Sequence, residues 1–290
     1  MENKIVDVVK RNLLKDVEID FRLLGGMSNY TYVVKGLEND ATQYTVRIPG
    51  AFDTYFVSRE HEKIGIEIFS DLGLTNETIY FDLNTGEKIA KYVPGKSLNE
   101  FSLLTKEDYQ SVANLMKKYH NSNITTSITY SPFERLDKYN SYLDKNIIDT
   151  KYYEFLNEFL KHKDYLESIP LCLCHNDSQP SNFIKTDNNL LVVDFEFIGM
   201  NDLMYDIACF GNVDFKDALN LLKCYYEDVT NDHYKRLYLW RTFQCLQWYN
   251  VALFKHLNGL SEELKIPFDA VASKYLSLAM SIYEQGKMYY

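Results

Sequence analysis

Hydrophobic residues along this chain change their spacing several times, and each change marks a new kind of element. Ile5, Val8, Val9, Leu13 and Leu14 recur at helical spacing, which predicts an amphipathic helix over residues 3–15. From residue 19 the texture shifts to short β-branched and aromatic segments at 19–24, 30–35 and 44–48, separated by Gly25-Gly26 and by residues 37–42. These read as an antiparallel meander. Helical periodicity returns over 57–72 through Val57, Ile64, Ile68, Phe69 and Leu72, with Gly73 as the stop. Two more strand-like runs, 77–82 and 87–93, flank the turn Asn84-Thr85-Gly86, and Pro94-Gly95 then breaks the pattern.

Beyond residue 97 the pattern is mostly helical. Thr105 and Asp108 resemble a capping box for a helix over 105–119, whose Val112, Leu115, Met116 and Tyr119 share one face. The stretch from about 213 to 287 is helical too, and between the two lies an island at 171–197 where apolar strand-like pieces bracket polar residues. The expected fold class is α+β: residues 1–94 form a five-stranded antiparallel sheet with one helix, and 95–290 form a mostly helical lobe around the island.

Composition narrows the function classes. A chain of 290 residues, 46% hydrophobic, buries a full core, and no apolar run is long enough to span a bilayer. The opening residues lead into an amphipathic stretch rather than a signal peptide's apolar segment, which places the protein in the cytosol. Five cysteines with no C-x-x-C pair read as reduced core residues, and the histidines show no metal-ligand spacing, so zinc is not expected. A net charge of −10 argues against nucleic acid or an anionic membrane and suits a cationic ligand. Oligomeric state is not legible.

The island holds the chemistry. His175-Asn176-Asp177-Ser178-Gln179-Pro180-Ser181-Asn182 is followed by a turn at Asp187-Asn188-Asn189 and by the apolar run 190–193 ending in Asp194-Phe195-Glu196. Phosphoryl transfer needs a carboxylate at the attacking hydroxyl and oxygen ligands for Mg²⁺. Asp177 and Asn182 have the offset of the kinase loop H-R-D-x-x-x-x-N, and Asp194 stands where a D-F-G aspartate would. Read as structure alone, Asp177 would cap a helix and Asp194 would end a strand; the complete set favours chemistry. A hairpin between Asn182 and Asp194 would bring the three side chains to one rim.

H-N-D-x-x-x-x-N followed by D-F-E resembles the choline/ethanolamine kinase and aminoglycoside phosphotransferase superfamily over roughly residues 20–255, with Asn176 in place of the usual arginine. The resemblance implies a two-lobed, protein-kinase-like fold with nucleotide held by the first lobe, ATP and Mg²⁺ as requirements, Asp177 as catalytic base, and Asn182 and Asp194 as metal ligands. It also implies that Gly25-Gly26-Met27-Ser28-Asn29 covers the phosphates, that Arg47 meets them and pairs with a glutamate of the next helix, and that the segment around Tyr92 meets adenine. Glu62 is favoured for that glutamate by the R-x-x-E spacing, with Glu60 left open.

For the acceptor, Asp-Phe-Glu-Phe is similar to the choline kinase pattern and would set Glu196 and Phe197 beside it. Trp240, Trp248 and Tyr249 lie in a segment resembling the helix that lines the choline pocket. Aromatic faces hold a quaternary ammonium, which has no N–H to donate. The expected acceptor is choline, with ethanolamine, thiamine or an aminoglycoside as alternatives. A kinase-like binding protein without turnover is the reading from a different class, and retention of Asp177, Asn182 and Asp194 speaks against it.

Overall fold

Helix α1 (Glu2–Leu13) presents buried Ile5, Val8 and Val9 to a sheet and ends where Leu14 turns left-handed at φ 55°. The computed structural model describes residues 1–23, 29–37 and 42–290. The sheet contains β1 (Val17–Leu23), β2 (Asn29–Gly36), β3 (Gln43–Pro49), β4 (Thr78–Phe81) and β5 (Lys88–Lys91), in the order β1-β2-β3-β5-β4 with every neighbour antiparallel. Alternation along β3 sends Tyr44, Val46 and Ile48 into the core shared with α1 and leaves Thr45 and Arg47 on the opposite face. Lys88 lies directly across from Arg47 and shares its face.

Between β3 and β4 runs α2 (Arg59–Asp71), opened by Ser58, whose hydroxyl accepts the His61 N–H. Its end is a Schellman motif: Gly73, at φ 68°, donates to Ser70 and Leu74 donates to Phe69. At Gly65 an added Cβ would come within 2.7 Å of Phe195 Cβ, so the absence of a side chain lets α2 lie against the Asp194-Phe195-Glu196 segment.

The remaining elements are β6 (Lys96–Ser97), α3 (Lys106–His120), α4 (Pro132–Ser141), α5 (Thr150–Phe159), α6 (Lys163–Glu167), β7 (Cys172–Cys174), β8 (Phe183–Lys185), β9 (Leu190–Val192), β10 (Gly199–Asn201), α7 (Leu203–Phe210), α8 (Phe215–Tyr225), α9 (Asn231–Leu257), α10 (Leu260–Leu264) and α11 (Phe268–Gly286). The island divides between two sheets. β8 and β9 form the expected hairpin with β6 at its edge, whereas β7 pairs with β10.

The chain forms two compact units, one of residues 1–119 with 179–198, the other of 120–178 with 199–290. Pro94-Gly95 lies within the first, because β6 and Gly95 are joined to β8: a Cβ on Gly95 would meet Lys185 O at 2.7 Å. The core of the second unit gathers on α9, where Trp240 and Phe243 meet Phe133 and Tyr205. No helix among the described residues is long and apolar enough to cross a membrane.

Candidate active site

In the first unit, Arg47 reaches from β3 to α2 and to the segment after β9. Its Nη1 lies 2.6 Å from Glu62 Oε1, 3.3 Å from Glu196 Oε1 and 3.4 Å from Asp194 Oδ1, and its Nη2 donates to Gly86 O at 3.2 Å. Arg59, the arginine of the R-x-x-E spacing, adds a second guanidinium, with Nη1 2.5 Å from Glu62 Oε2 and 3.2 Å from Glu196 Oε1. Of the two glutamates left open on α2, Glu62 is the buried one paired with Arg47, while Glu60 is exposed and accepts from the Ser58 hydroxyl. The i,i+3 spacing from Arg59 to Glu62 was the available signal for Arg59.

Burial and neighbouring charges of both signs set the ionisation of the cluster. Burial lowers the Arg47 pKa, but Glu62 and then Glu196 outweigh it and hold the guanidinium above its ordinary range. Burial raises the Glu62 pKa, and Arg47 reverses this, keeping the carboxylate ionised. Lys88 is pulled down by burial and then by Arg47. Asp194 is pushed up to about 7, chiefly by burial and next by Glu196, against the pull of Arg47. Its side chain keeps 31% exposure while those of Glu62 and Glu196 keep 0% and 7%.

The carboxylate oxygens of Glu62, Asp194 and Glu196 lie within 4.8 Å of one another, a set of hard ligands suited to Mg²⁺. Glu62 and Glu196 are taken up by guanidinium groups, so Asp194 is the member with accessible oxygen and with a raised pKa that a divalent cation would relieve. The backbone at Asp194 is left-handed, φ 71°, a conformation that costs a residue with a Cβ. Asn182 is buried and joins the same segment through its carbonyl, which accepts from Val193 N at 2.9 Å. Glu196, expected beside the acceptor, accepts from Asn29 at 3.0 Å and from both guanidiniums. Tyr92 is half-buried, edge-on to Phe21, and donates its N–H to Gln43 O. Ser28 and the glycines before it lie outside the described residues.

In the second unit the loop carrying Asp177 is fixed by its neighbours. The buried Asp206 carboxylate accepts the N–H groups of His175 at 2.9 Å and Asn176 at 2.7 Å, and its backbone carbonyl accepts the Ser178 hydroxyl at 2.8 Å. Burial would raise the Asp206 pKa, yet the hydrogen bond from His120 and the charge beside it hold it below the usual value. Asn176 adopts φ 63°, a conformation asparagine tolerates better than most residues. Its amide binds Cys174 O and Gly199 O and accepts from Asn201, tying the loop to β7 and β10. Asp177 N donates to His175 Nδ1 at 3.2 Å.

Of the three aromatics singled out on α9, two belong to the core. Trp240 is 2% exposed and donates to Asp202 at 2.7 Å. Tyr249 stacks on Tyr152 at 4.6 Å, its hydroxyl accepting from Asp149 N. Trp248 alone is half-buried, and it stacks with Tyr275 of α11 at 6.4 Å and 23°. Burial raises the Tyr275 pKa, against the nearby charge of Arg241. Nothing local in the sequence marks Tyr275, nearly a hundred residues from Asp177. Phe197 is half-buried in the first unit.

A profile of the choline/ethanolamine kinase family matches residues 21–243. Among curated relatives, protein LicA of Haemophilus influenzae is 26% identical over 289 residues, covering 94% of this chain and 83% of that protein. Choline kinase B1 of Caenorhabditis elegans is 24% identical over 69% of this chain and 57% of its own length. The crystal structure of choline kinase LicA from Streptococcus pneumoniae shares the fold, with a TM-score of 0.79 at 24% identity over 98% of this chain and 99% of that one. An aminoglycoside 2′-phosphotransferase shares it more distantly, at a TM-score of 0.66 and 13% identity, covering 99% of this chain and 98% of that one. On the strength of a family match that spans most of its length, this chain belongs to the choline/ethanolamine kinase family.

Proposed function

We propose that the protein transfers the γ-phosphoryl group of ATP to the hydroxyl of choline, giving phosphocholine and ADP in the cytosol. The observation that carries this reading is the buried cluster in which Arg47 is paired with Glu62 and also reaches Asp194 and Glu196. A fixed cation on a strand, with carboxylates at the end of an apolar strand, is what a polyphosphate and its divalent ion require.

Each residue then has a task. Arg47 binds phosphate oxygens while Glu62 keeps its guanidinium from swinging away. Asn182 and Asp194 would hold Mg²⁺, with Glu196 behind them; the ion, when bound, neutralises charge on the phosphate oxygens. Asn29, through Glu196, steadies the same end, and the segment at Tyr92 meets adenine. Asp177 takes the proton from the acceptor hydroxyl as that oxygen bonds to the γ-phosphorus and the bond to the bridging oxygen of ADP breaks. Trp248, joined by Tyr275, offers an aromatic face to a trimethylammonium group, and Phe197 is the acceptor-side ring proposed for the first unit. Trp240 and Tyr249 support this surface from the core.

The test is ADP release from magnesium–ATP with choline, ethanolamine, thiamine and an aminoglycoside as acceptors. Choline should give the highest kcat/KM. A better rate with any other acceptor would overturn the choline assignment and leave the kinase assignment standing; no ADP release with all four would overturn both.

A further inference from the structure

Behind the loop that carries Asp177 lies a second group of ligating side chains that phosphoryl transfer does not use. Cys172 and Cys174 alternate along β7 so that both project from one face, with sulfurs 3.8 Å apart. His120, at the end of α3, brings a ring nitrogen to them, and the three ligand atoms lie within 4.8 Å of one another. Sequence spacing conceals the group, because His120 precedes Cys172 by 52 residues.

The geometry matches a tetrahedral thiolate site. With Zn–S bonds of about 2.3 Å, two sulfurs on a tetrahedron stand about 3.8 Å apart. The histidine is also oriented as a ligand. Its Nε2 faces the Asp206 carboxylate at 3.1 Å and its Nδ1 faces the Tyr225 hydroxyl at 2.9 Å. A histidine that binds metal through one nitrogen and donates the other N–H to a carboxylate is the usual outer-sphere arrangement. Cys172 is half-buried and offers an entry path, whereas Cys174 and His120 are buried.

We infer that a ring nitrogen of His120, Cys172 Sγ and Cys174 Sγ form a site for one thiophilic divalent cation of the zinc or cadmium class. Binding breaks two S–H bonds, forms two S–metal bonds and sends two protons to solvent; no electrons are transferred. The ring nitrogen that takes the metal gives up its present hydrogen bond, to Tyr225 or to Asp206, and the other nitrogen keeps its own. Because Asp206 also holds His175 and Asn176, the site adjoins the catalytic loop without sharing a ligand with the proposed Mg²⁺ residues.

The reduced, metal-free full chain is titrated with Cd²⁺ in excess Mg²⁺, following the ultraviolet sulfur-to-cadmium charge-transfer band and the protons released into weak buffer. One equivalent should saturate the band with release of about two protons, consistent with two thiolate ligands. Cys172→Ser, at a half-buried position, should weaken binding at least tenfold and roughly halve the band, while Cys224→Ser leaves both unchanged. No saturable band in the wild type, an undiminished band in Cys172→Ser, or an equal loss in Cys224→Ser would overturn the site.

Discussion

Asp194 holds the charge most dependent on its surroundings. Its pKa of about 7, raised first by burial and then by Glu196, means that the folded protein keeps this proton through a range where the unfolded chain has lost it. For a carboxyl shifted upward the sign is unfavourable: without metal, this residue's contribution to stability falls as pH rises from the ordinary carboxyl range to about 7. A cation at Asp194 must displace the same proton. Calorimetric Mg²⁺ affinity in the presence of ADP should therefore rise by up to about tenfold per pH unit below 7 and level off above it. Asp194→Asn should bind weakly at every pH, and a flat profile in the wild type would show that this carboxyl does not meet the ion. The two tryptophans divide at the same scale. Losing one aromatic face from a cation costs about 0.5–2 kcal/mol, so Trp248→Ala should raise KM for choline about two- to thirtyfold and leave KM for ATP nearly unchanged. Trp240→Ala instead empties a buried site and frees Asp202 from a donor, which should cost about 3–5 kcal/mol of stability. Thermal melts and acceptor kinetics on both variants decide; equal effects of the two on choline KM would remove Trp248 from the acceptor surface.

Among elements, α2 connects the fold to the candidate chemistry, because Glu62 is placed by how closely the helix packs. Gly65 sets that distance. An alanine there gains about 1 kcal/mol of helix propensity but meets Phe195 Cβ, an atom no rotamer change can withdraw, and overpacking costs about 1–3 kcal/mol. Gly65→Ala should move α2 outward, lengthen the Arg47–Glu62 pair and raise KM for ATP several-fold with a small loss of thermal stability. Unchanged ATP kinetics would mean that the pair tolerates the shift. The same helix shows what the sequence makes legible. Its stop at Gly73 and the R-x-x-E spacing are local signals, whereas the Ser58 cap and the phase that turns Glu60 outward and Glu62 inward emerge from the fold. The loop that carries Asp177 and the β8–β9 hairpin were legible for the same reason, since their residues are close in sequence. The α9 aromatics were not: this helix is buried on nearly all sides, so periodicity marks no face and gives no way to separate Trp248 from Trp240. The partners of Glu196 were not legible, because Asn29, Arg47 and Arg59 come from distant elements. The two-residue β6 carries too few positions to show a period.

At the scale of the whole molecule the net charge of −10 acts on two substrates of opposite sign. Choline is a cation and magnesium–ATP an anion, so one surface field raises the local concentration of the first and lowers that of the second. Arg47, Arg59 and Lys88 oppose the field locally at the proposed phosphate end, but two of them are neutralised by Glu62 and Glu196 and do little at long range. Added salt shortens the Debye length to about 10 Å at 0.1 M and about 3 Å at 1 M, removing the long-range part of the field while leaving buried pairs nearly intact. The two substrates should therefore respond in opposite directions. Between low and high ionic strength, kcat/KM for choline should fall by up to about tenfold, while kcat/KM for magnesium–ATP holds or rises. The control is the uncharged carbon isostere of choline, in which a tert-butyl group replaces trimethylammonium. It keeps the shape and apolar contact but feels no field, so its kcat/KM should be much lower and insensitive to salt. A parallel fall for both substrates would point to a general effect of salt on the protein. Equal salt sensitivity of choline and its isostere would show that the acidic surface plays no part in bringing the acceptor to Asp177.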